Sequence, residues 1–186
     1  MESTQKKEGY YTYADYCTWD DGKRWELIDG VAYAMAHAPS RTHQSISVAI
    51  ASQLYNFLNG KRCKVFTAPF DVRLNVDSKD DIVVQPDILV VCNESKLNDS
   101  ECVGAPDFIV EVLSPSTAQH DRLRKFRLYQ NSGVREYWIV DPDSKTVAAH
   151  IIYYGVYRIS MYGSDDLAPV HVLEGCTINL SDVFED

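Results

Sequence analysis

Apolar residues in this chain fall into one helical stripe and several short runs. Ile46, Ile50, Leu54, Phe57 and Leu58 recur at helical spacing, which predicts a helix capped by Ser40 or Thr42 and running to about Leu58. Asn59-Gly60 supplies its stop. The stretch DFIVEVLSPS, residues 107–116, packs Phe108, Ile109, Val110, Val112 and Leu113 around a single carboxylate, Glu111. Bounded by Pro and Ser, it reads as a strand buried on both faces. Ile88–Val91 reads as another buried strand, Glu136–Val140 as a strand ended by Asp141-Pro142, and Cys63–Phe66 and Phe70–Leu74 as two more. Asp29-Gly30 is a strong two-residue turn signal joining Arg24–Ile28 to Val31–His37 as a hairpin. Tyr154-Gly155 does the same for Val147–Tyr153 and Val156–Met161. A second helix is expected from Ala118 to Asn131, with Gly133 past its end. Asn93–Gly104 reads as a polar connection, and the tail from Cys176 to Phe184 should dock on the core through Ile178, Leu180, Val183 and Phe184.

Hairpins followed by a strand–helix–strand unit predict an α/β domain with a central mixed β-sheet flanked by helices and an N-terminal antiparallel hairpin. A length of 186 residues with 45% hydrophobic content fits one domain, 1–186, with residues 1–9 as a flexible N-terminus. No apolar stretch reaches the length of a membrane span, and the N-terminus lacks a signal-peptide core, so a cytoplasmic location is expected. Five cysteines, none spaced as a zinc pair, then read as reduced thiols. The net charge of −9 argues against broad, non-specific binding to nucleic acid, while leaving room for a local basic patch.

Glu111 carries the chemistry. An ionised carboxylate in a buried strand costs several kcal/mol unless it is paired or holds a metal. Two Pro-Asp pairs precede it. Asp107 lies four residues away on the same strand, about 13 Å at the usual rise, too far to share one ion. Asp87 stands at the start of a different strand and comes within reach if the two strands are neighbours. The alternative is a strand-entry Asp and a Glu satisfied by an Arg. Helical phasing puts Asp121, Lys125, Leu128 and Tyr129 on one arc beside Phe126, so Lys125 leans toward the sheet and Glu111. Otherwise Lys125 would form a surface pair with Asp121. Glu26 on the hairpin and His43 in the first helical turn are second-tier candidates. Asp141 before Pro142 reads as turn chemistry, and His120, Arg122, Arg124 and Arg127 form the one basic stripe.

These residues match a known pattern. RWELIDGVAYAM, APSRTHQ, QPDILVV and the block GAPDFIVEVLSPSTAQHDRLRKFRLYQNSGVREYWIVDP resemble the Uma-two endonuclease family (domain of unknown function 820), within the PD-(D/E)XK restriction-endonuclease-like superfamily. The resemblance runs from about Tyr10 to Phe184. It implies a restriction-endonuclease-like fold and an active site of Asp87, Glu111 and a lysine. The superfamily's usual lysine position is Leu113 here, and the family pattern moves the lysine to the next helix, in agreement with Lys125. It also raises Glu26 and His43. The function so implied is hydrolysis of DNA phosphodiester bonds, with Mg²⁺ or Mn²⁺ held by Asp87, Glu111 and the backbone carbonyl of Val112. A homodimer is expected, since restriction-like nucleases often pair to cut two strands. Two alternatives stay open: an inactive nuclease-fold binding or assembly module, and a metal-dependent hydrolase of small phosphate esters or nucleotides.

Overall fold

The computed structural model describes residues 9–35, 39–76, 78–114 and 118–185, and of residues 118–122 the backbone only. The flexible N-terminus expected for residues 1–9 therefore lies almost wholly outside the described residues. So do the end of the first hairpin's second strand and the Pro115–Thr117 helix cap.

A six-stranded mixed sheet forms the centre. Its spatial order is β11 (Val156–Gly163), β10 (Thr146–Tyr153), β9 (Glu136–Asp141), β8 (Phe108–Val112), β6 (Ile88–Val91) and β3 (Lys64–Thr67). The two apolar runs expected at the centre are neighbours, β6 antiparallel to β8, and β8 pairs β9 in parallel through helix α3 (Ala118–Ser132). Parallel neighbours need such a crossover, and their double burial explains why these strands are nearly continuous in Val, Ile and Phe.

Helix α2 (Arg41–Leu58) covers one face. Ser40 caps it, its side chain accepting from the His43 N–H, and His43, Ile46, Ile50, Leu54 and Leu58 are buried. They pack with Phe108, Val110, Trp138 and Val140, and with the docked tail residues Ile178, Leu180, Val183 and Phe184. Full burial of each Ile or Leu is worth about 1.5–3 kcal/mol. The opposite face packs Leu89, Val91, Ile109 and Tyr137 against Leu128 and Tyr129 of α3 and against a second sheet.

That second sheet was not foreseen. Its order is β2 (Val31–Ala34), β1 (Trp25–Ile28), β5 (Val83–Val84), β4 (Asp71–Arg73) and β7 (Glu101–Val103). The β1–β2 hairpin turns at Asp29 and Gly30, with φ of 51° and 73°, the left-handed pair that a tight hairpin demands. The residues expected to form only a polar connection contain β7, which pairs in parallel with β4. Three residues are too short to show a period. The aromatic segment Tyr11, Tyr13, Tyr16 and Trp19, including the short helix α1 (Tyr13–Tyr16), covers Trp25, Leu27 and Val83 of this sheet. A ribbon of β12 (Leu167–Pro169) and β13 (Thr177–Asn179) leads into the terminal helix α4 (Leu180–Val183).

The expectation of reduced thiols needs correction. Cys63 and Cys92 form a disulfide, and Cys17, Cys102 and Cys176 are free. The antiparallel register of β3 and β6, Lys64 opposite Val91, continues to set Cys63 against Cys92. A contact between residues 29 apart in sequence leaves no local signature.

Candidate active site

The register Ile88↔Val110, Leu89↔Ile109 extends by one step to set Asp87 opposite Glu111. Paired positions of antiparallel strands have Cα atoms about 4.5–5.5 Å apart and side chains on one face. The two acids thus meet at the end of the sheet where β6 begins and β8 finishes. Asp87 Oδ2 accepts from the Val112 N–H at 2.8 Å and lies 3.1 Å from His43 Nε2. His43 is placed there by the first turn of α2. Its hydrogen bond to Asp87 raises the imidazole above its ordinary value of 6.5.

Lys125 reaches the same place from α3. Its Nζ donates to Glu111 Oε1 and Glu26 Oε1, each at 2.9 Å. The Tyr129 hydroxyl, one helical turn on, donates to Glu111 Oε1 at 2.7 Å. Burial pushes the Glu111 carboxyl up to about 7, against the pull of Lys125. Burial would lower the Lys125 ammonium, but Glu111 and Glu26 outweigh it and hold it well above its ordinary value.

Glu26 is buried, which the hairpin pattern alone did not require. Its Oε1 also accepts from the Gln85 N–H at 3.2 Å. The Gln85 side chain extends the network outward, accepting from Arg24 Nε at 2.9 Å and donating to Asp71 Oδ1 at 2.7 Å. Gln85 and Tyr129 are the participants that the sequence reading missed as site residues. Gln85 directly precedes Pro86-Asp87, and Tyr129 lies at i+4 from Lys125 on the inward arc. Tyr129 was read for the packing of its ring rather than for its hydroxyl, and Gln85 carried no reading of its own beside Pro86-Asp87.

The remaining candidates separate cleanly. Asp107 is a structural group: its carboxylate accepts from the Cys92 N–H at 2.8 Å and from Arg135 at 3.1 Å. Asp141 caps its own turn, accepting from the N–H of Asp143 and of Ser144. Of the basic stripe, Arg124 stacks on Tyr33 with its guanidinium carbon 4.2 Å from the ring centroid, and Arg127 is exposed. The side chains of His120, Asp121 and Arg122 lie outside the described residues.

A divalent cation fits this donor set in a limited way. Among the described residues no cluster of three or more His, Cys, Asp or Glu is gathered for a metal. Two carboxylates and a backbone carbonyl nevertheless suit Mg²⁺, which is commonly held by one or two carboxylates and keeps several waters. Among the described residues, the hydrogen bonds and ion pairs of Asp87 fall on Oδ2 and those of Glu111 on Oε1. One oxygen of each remains for a cation.

Comparison with known proteins agrees with this architecture. A solved structure described as "a putative nuclease belonging to DUF820", from Anabaena variabilis ATCC 29413, superposes with a TM-score of 0.76 at 20% identity, covering 94% of this chain and 97% of that one. Two proteins of Synechocystis sp. (strain ATCC 27184 / PCC 6803 / Kazusa) are similar in sequence. Uncharacterized protein slr1290 is 32% identical over 133 residues, 70% of this chain and 68% of the relative. Uncharacterized protein sll1609 is 29% identical over 119 residues, 62% of this chain and 65% of the relative. The profile of one family, described as "Uma2: Putative restriction endonuclease", matches residues 12–181. With that match across nearly the whole α/β architecture and all five residues of the candidate site, the chain belongs to the Uma2 family.

Proposed function

We propose that this chain is a divalent-metal-dependent nuclease hydrolysing phosphodiester bonds of DNA at Asp87, Glu111 and Lys125. The observation that carries this reading is the convergence of Lys125 from α3 on Glu111, which faces Asp87 across the β6–β8 pair. A structural salt bridge needs one acid and one base. Here one ammonium serves two carboxylates, Glu26 and Glu111, with Asp87 and His43 adjoining. Acids held together against their own repulsion mark a functional-site candidate.

Asp87, Glu111 and the Val112 carbonyl would hold Mg²⁺ or Mn²⁺, which when bound supplies a water of lowered pKa and polarises a phosphoryl oxygen. The protein's own groups do the rest. Tyr129 and Lys125 fix the Glu111 carboxylate, and His43 and the Val112 N–H fix that of Asp87. The Lys125 ammonium, already buried and oriented, stabilises negative charge developing beside it. Glu26 keeps Lys125 in place.

With a net charge of −9, the metal-free site repels a phosphate backbone. DNA binding should therefore require the cation. Fluorescence anisotropy with labelled DNA tests this: binding in Mg²⁺ that disappears in EDTA supports the reading, and equal binding in both contradicts it.

A further inference from the structure

Strand β11 closes one side of the six-stranded sheet, and among the described residues no strand lies beyond it. It is eight residues long and pairs with β10 from Thr146↔Gly163 through Tyr153↔Val156 without a bulge. Long regular edges are commonly blunted by lysines, prolines or bulges, because their bare N–H and C=O groups attract another strand. β11 carries one charged side chain, Arg158, and no proline. Of the ten exposed large hydrophobic residues among the described residues, six lie between Tyr153 and Leu167, so exposed apolar surface is gathered at this hairpin and the turn after it.

Two hydrogen bonds show which groups point outward. The Tyr157 N–H donates to Gln130 Oε1 of α3 at 3.0 Å, and the Gly163 N–H to Asp166 Oδ2 at 2.7 Å. Neither is spent on β10. Alternate residues of an antiparallel strand turn their N–H and C=O the same way, so Ile159 and Met161 also face outward. Gln130 and Asp166 thus cap the two ends of the edge. Between them the N–H and C=O of Ile159 and Met161 stand open, and these two residues are 59% and 61% exposed.

This open stretch is symmetric about Ser160. Antiparallel pairing of two copies with Ser160 opposite the partner's Ser160 sets Ile159 against the partner's Met161, and the reverse. Each such pair exchanges both of its N–H···O bonds, which satisfies every open group, and the two apolar side chains meet directly across one face. Charge also matches. Arg158 lies over the Tyr153 ring, 4.1 Å from its centroid, at the hairpin end of the strand. The same register brings the partner's Asp165 to that end, while Arg158 itself stands opposite the partner's Tyr162 rather than another arginine.

We propose that β11 pairs antiparallel with β11 of a second copy, about a two-fold axis between the two Ser160 residues, joining the central sheets into one. The inference stands on the edge itself and not on the nuclease reading. The axis is perpendicular to the sheet, so the two candidate sites fall at opposite ends of the joined strands rather than side by side.

Analytical ultracentrifugation of the full chain tests this. The wild type should sediment as a dimer at micromolar concentration. Ile159→Lys, which places a charge on the open edge, should sediment as a monomer with an unchanged circular-dichroism melt. Cross-linking reads the register, in a Cys17→Ser background that removes the exposed thiol. Residues facing each other in a non-hydrogen-bonded pair have Cα atoms about 4.5 Å apart, within disulfide range, so Ser160→Cys should give a covalent dimer on a non-reducing gel. Val156 is the more exposed of the two positions, but in this register it lies about 27 Å from its own copy, so Val156→Cys should give none. A monomeric wild type overturns the second copy as the occupant of this edge and leaves the edge to a strand of another protein. A dimer that survives Ile159→Lys also overturns the proposal, as does a Ser160→Cys chain that fails to cross-link or cross-links no more readily than Val156→Cys. Should Ile159→Lys melt early, the two cysteine variants decide alone.

Discussion

The Lys125 ammonium lies 2.9 Å from Glu111, fourteen residues back along the chain and on a different element. The same ammonium holds Glu26, ninety-nine residues away, at the same distance. Replacing it by methionine leaves two buried carboxylates without their counterion. Breaking a buried pair by removing one partner costs about 3–5 kcal/mol. Urea denaturation at neutral pH should show Lys125→Met destabilised by that order, with nuclease activity lost. A change below about 1 kcal/mol would mean that the carboxylates never depended on Lys125.

Tyr129 and Glu111 are joined by a bond of 2.7 Å in a buried setting. Tyr129→Phe removes one donor and leaves the ring packing intact. Hydrogen bonds to charged groups contribute about 1.5–3 kcal/mol, so the variant should lose stability within that range while keeping its fold by circular dichroism. An unchanged denaturation midpoint would show that solvent already satisfies Glu111.

Much of this site was legible before any coordinates. Phasing favoured an inward Lys125, because Leu128 and Tyr129 had to face the sheet, but left open a surface pair with Asp121 until the family resemblance pointed to the same residue, and strand geometry preferred Asp87 to Asp107. Register was not legible. No local pattern announces that Asp87 falls opposite Glu111 rather than one residue to either side, and a one-residue slip would send the side chain to the other face. The burial of Glu26 was hidden for a related reason. It depends on Gln85 and Lys125 arriving from distant parts of the chain, whereas the local hairpin pattern fits an exposed Glu equally well. The second sheet escaped because β5 and β7 are two and three residues long, too short for periodicity to speak.

Cys63 and Cys92 offer a test of the β3–β6 register. Peptide mapping without reductant should recover them as one linked pair, and chain-entropy arithmetic for a separation of 29 residues puts the stabilisation at about 3–4 kcal/mol. Cys63→Ser should lower stability by that order under oxidising conditions and leave it unchanged under reducing ones. Recovery of Cys63 and Cys92 as free thiols without reductant would contradict the pairing.

Glu136 lies wholly buried on β9, accepting from Trp138 Nε1 and from the Val172 N–H. Burial raises its carboxyl from the ordinary 4.5 to about 7. A group whose pKa is raised on folding binds its proton more tightly in the native state. Its contribution is therefore fully present below about 4.5 and lost as pH rises through about 7. Denaturation followed across that window should show stability declining from this group, and Glu136→Gln should flatten the decline. An identical pH slope in the variant would place the titration elsewhere.

The most direct measurement is calorimetric titration of Mn²⁺ into the wild-type chain and into Asp87→Asn. Asparagine keeps the size of the side chain and an oxygen that can accept from the Val112 N–H, but removes the charge facing Glu111. Saturable binding of one ion per site by the wild type, weakened at least about tenfold or abolished in Asp87→Asn, is the expected result. Equal binding by both proteins, or none by the wild type, would contradict a metal centre at Asp87 and Glu111.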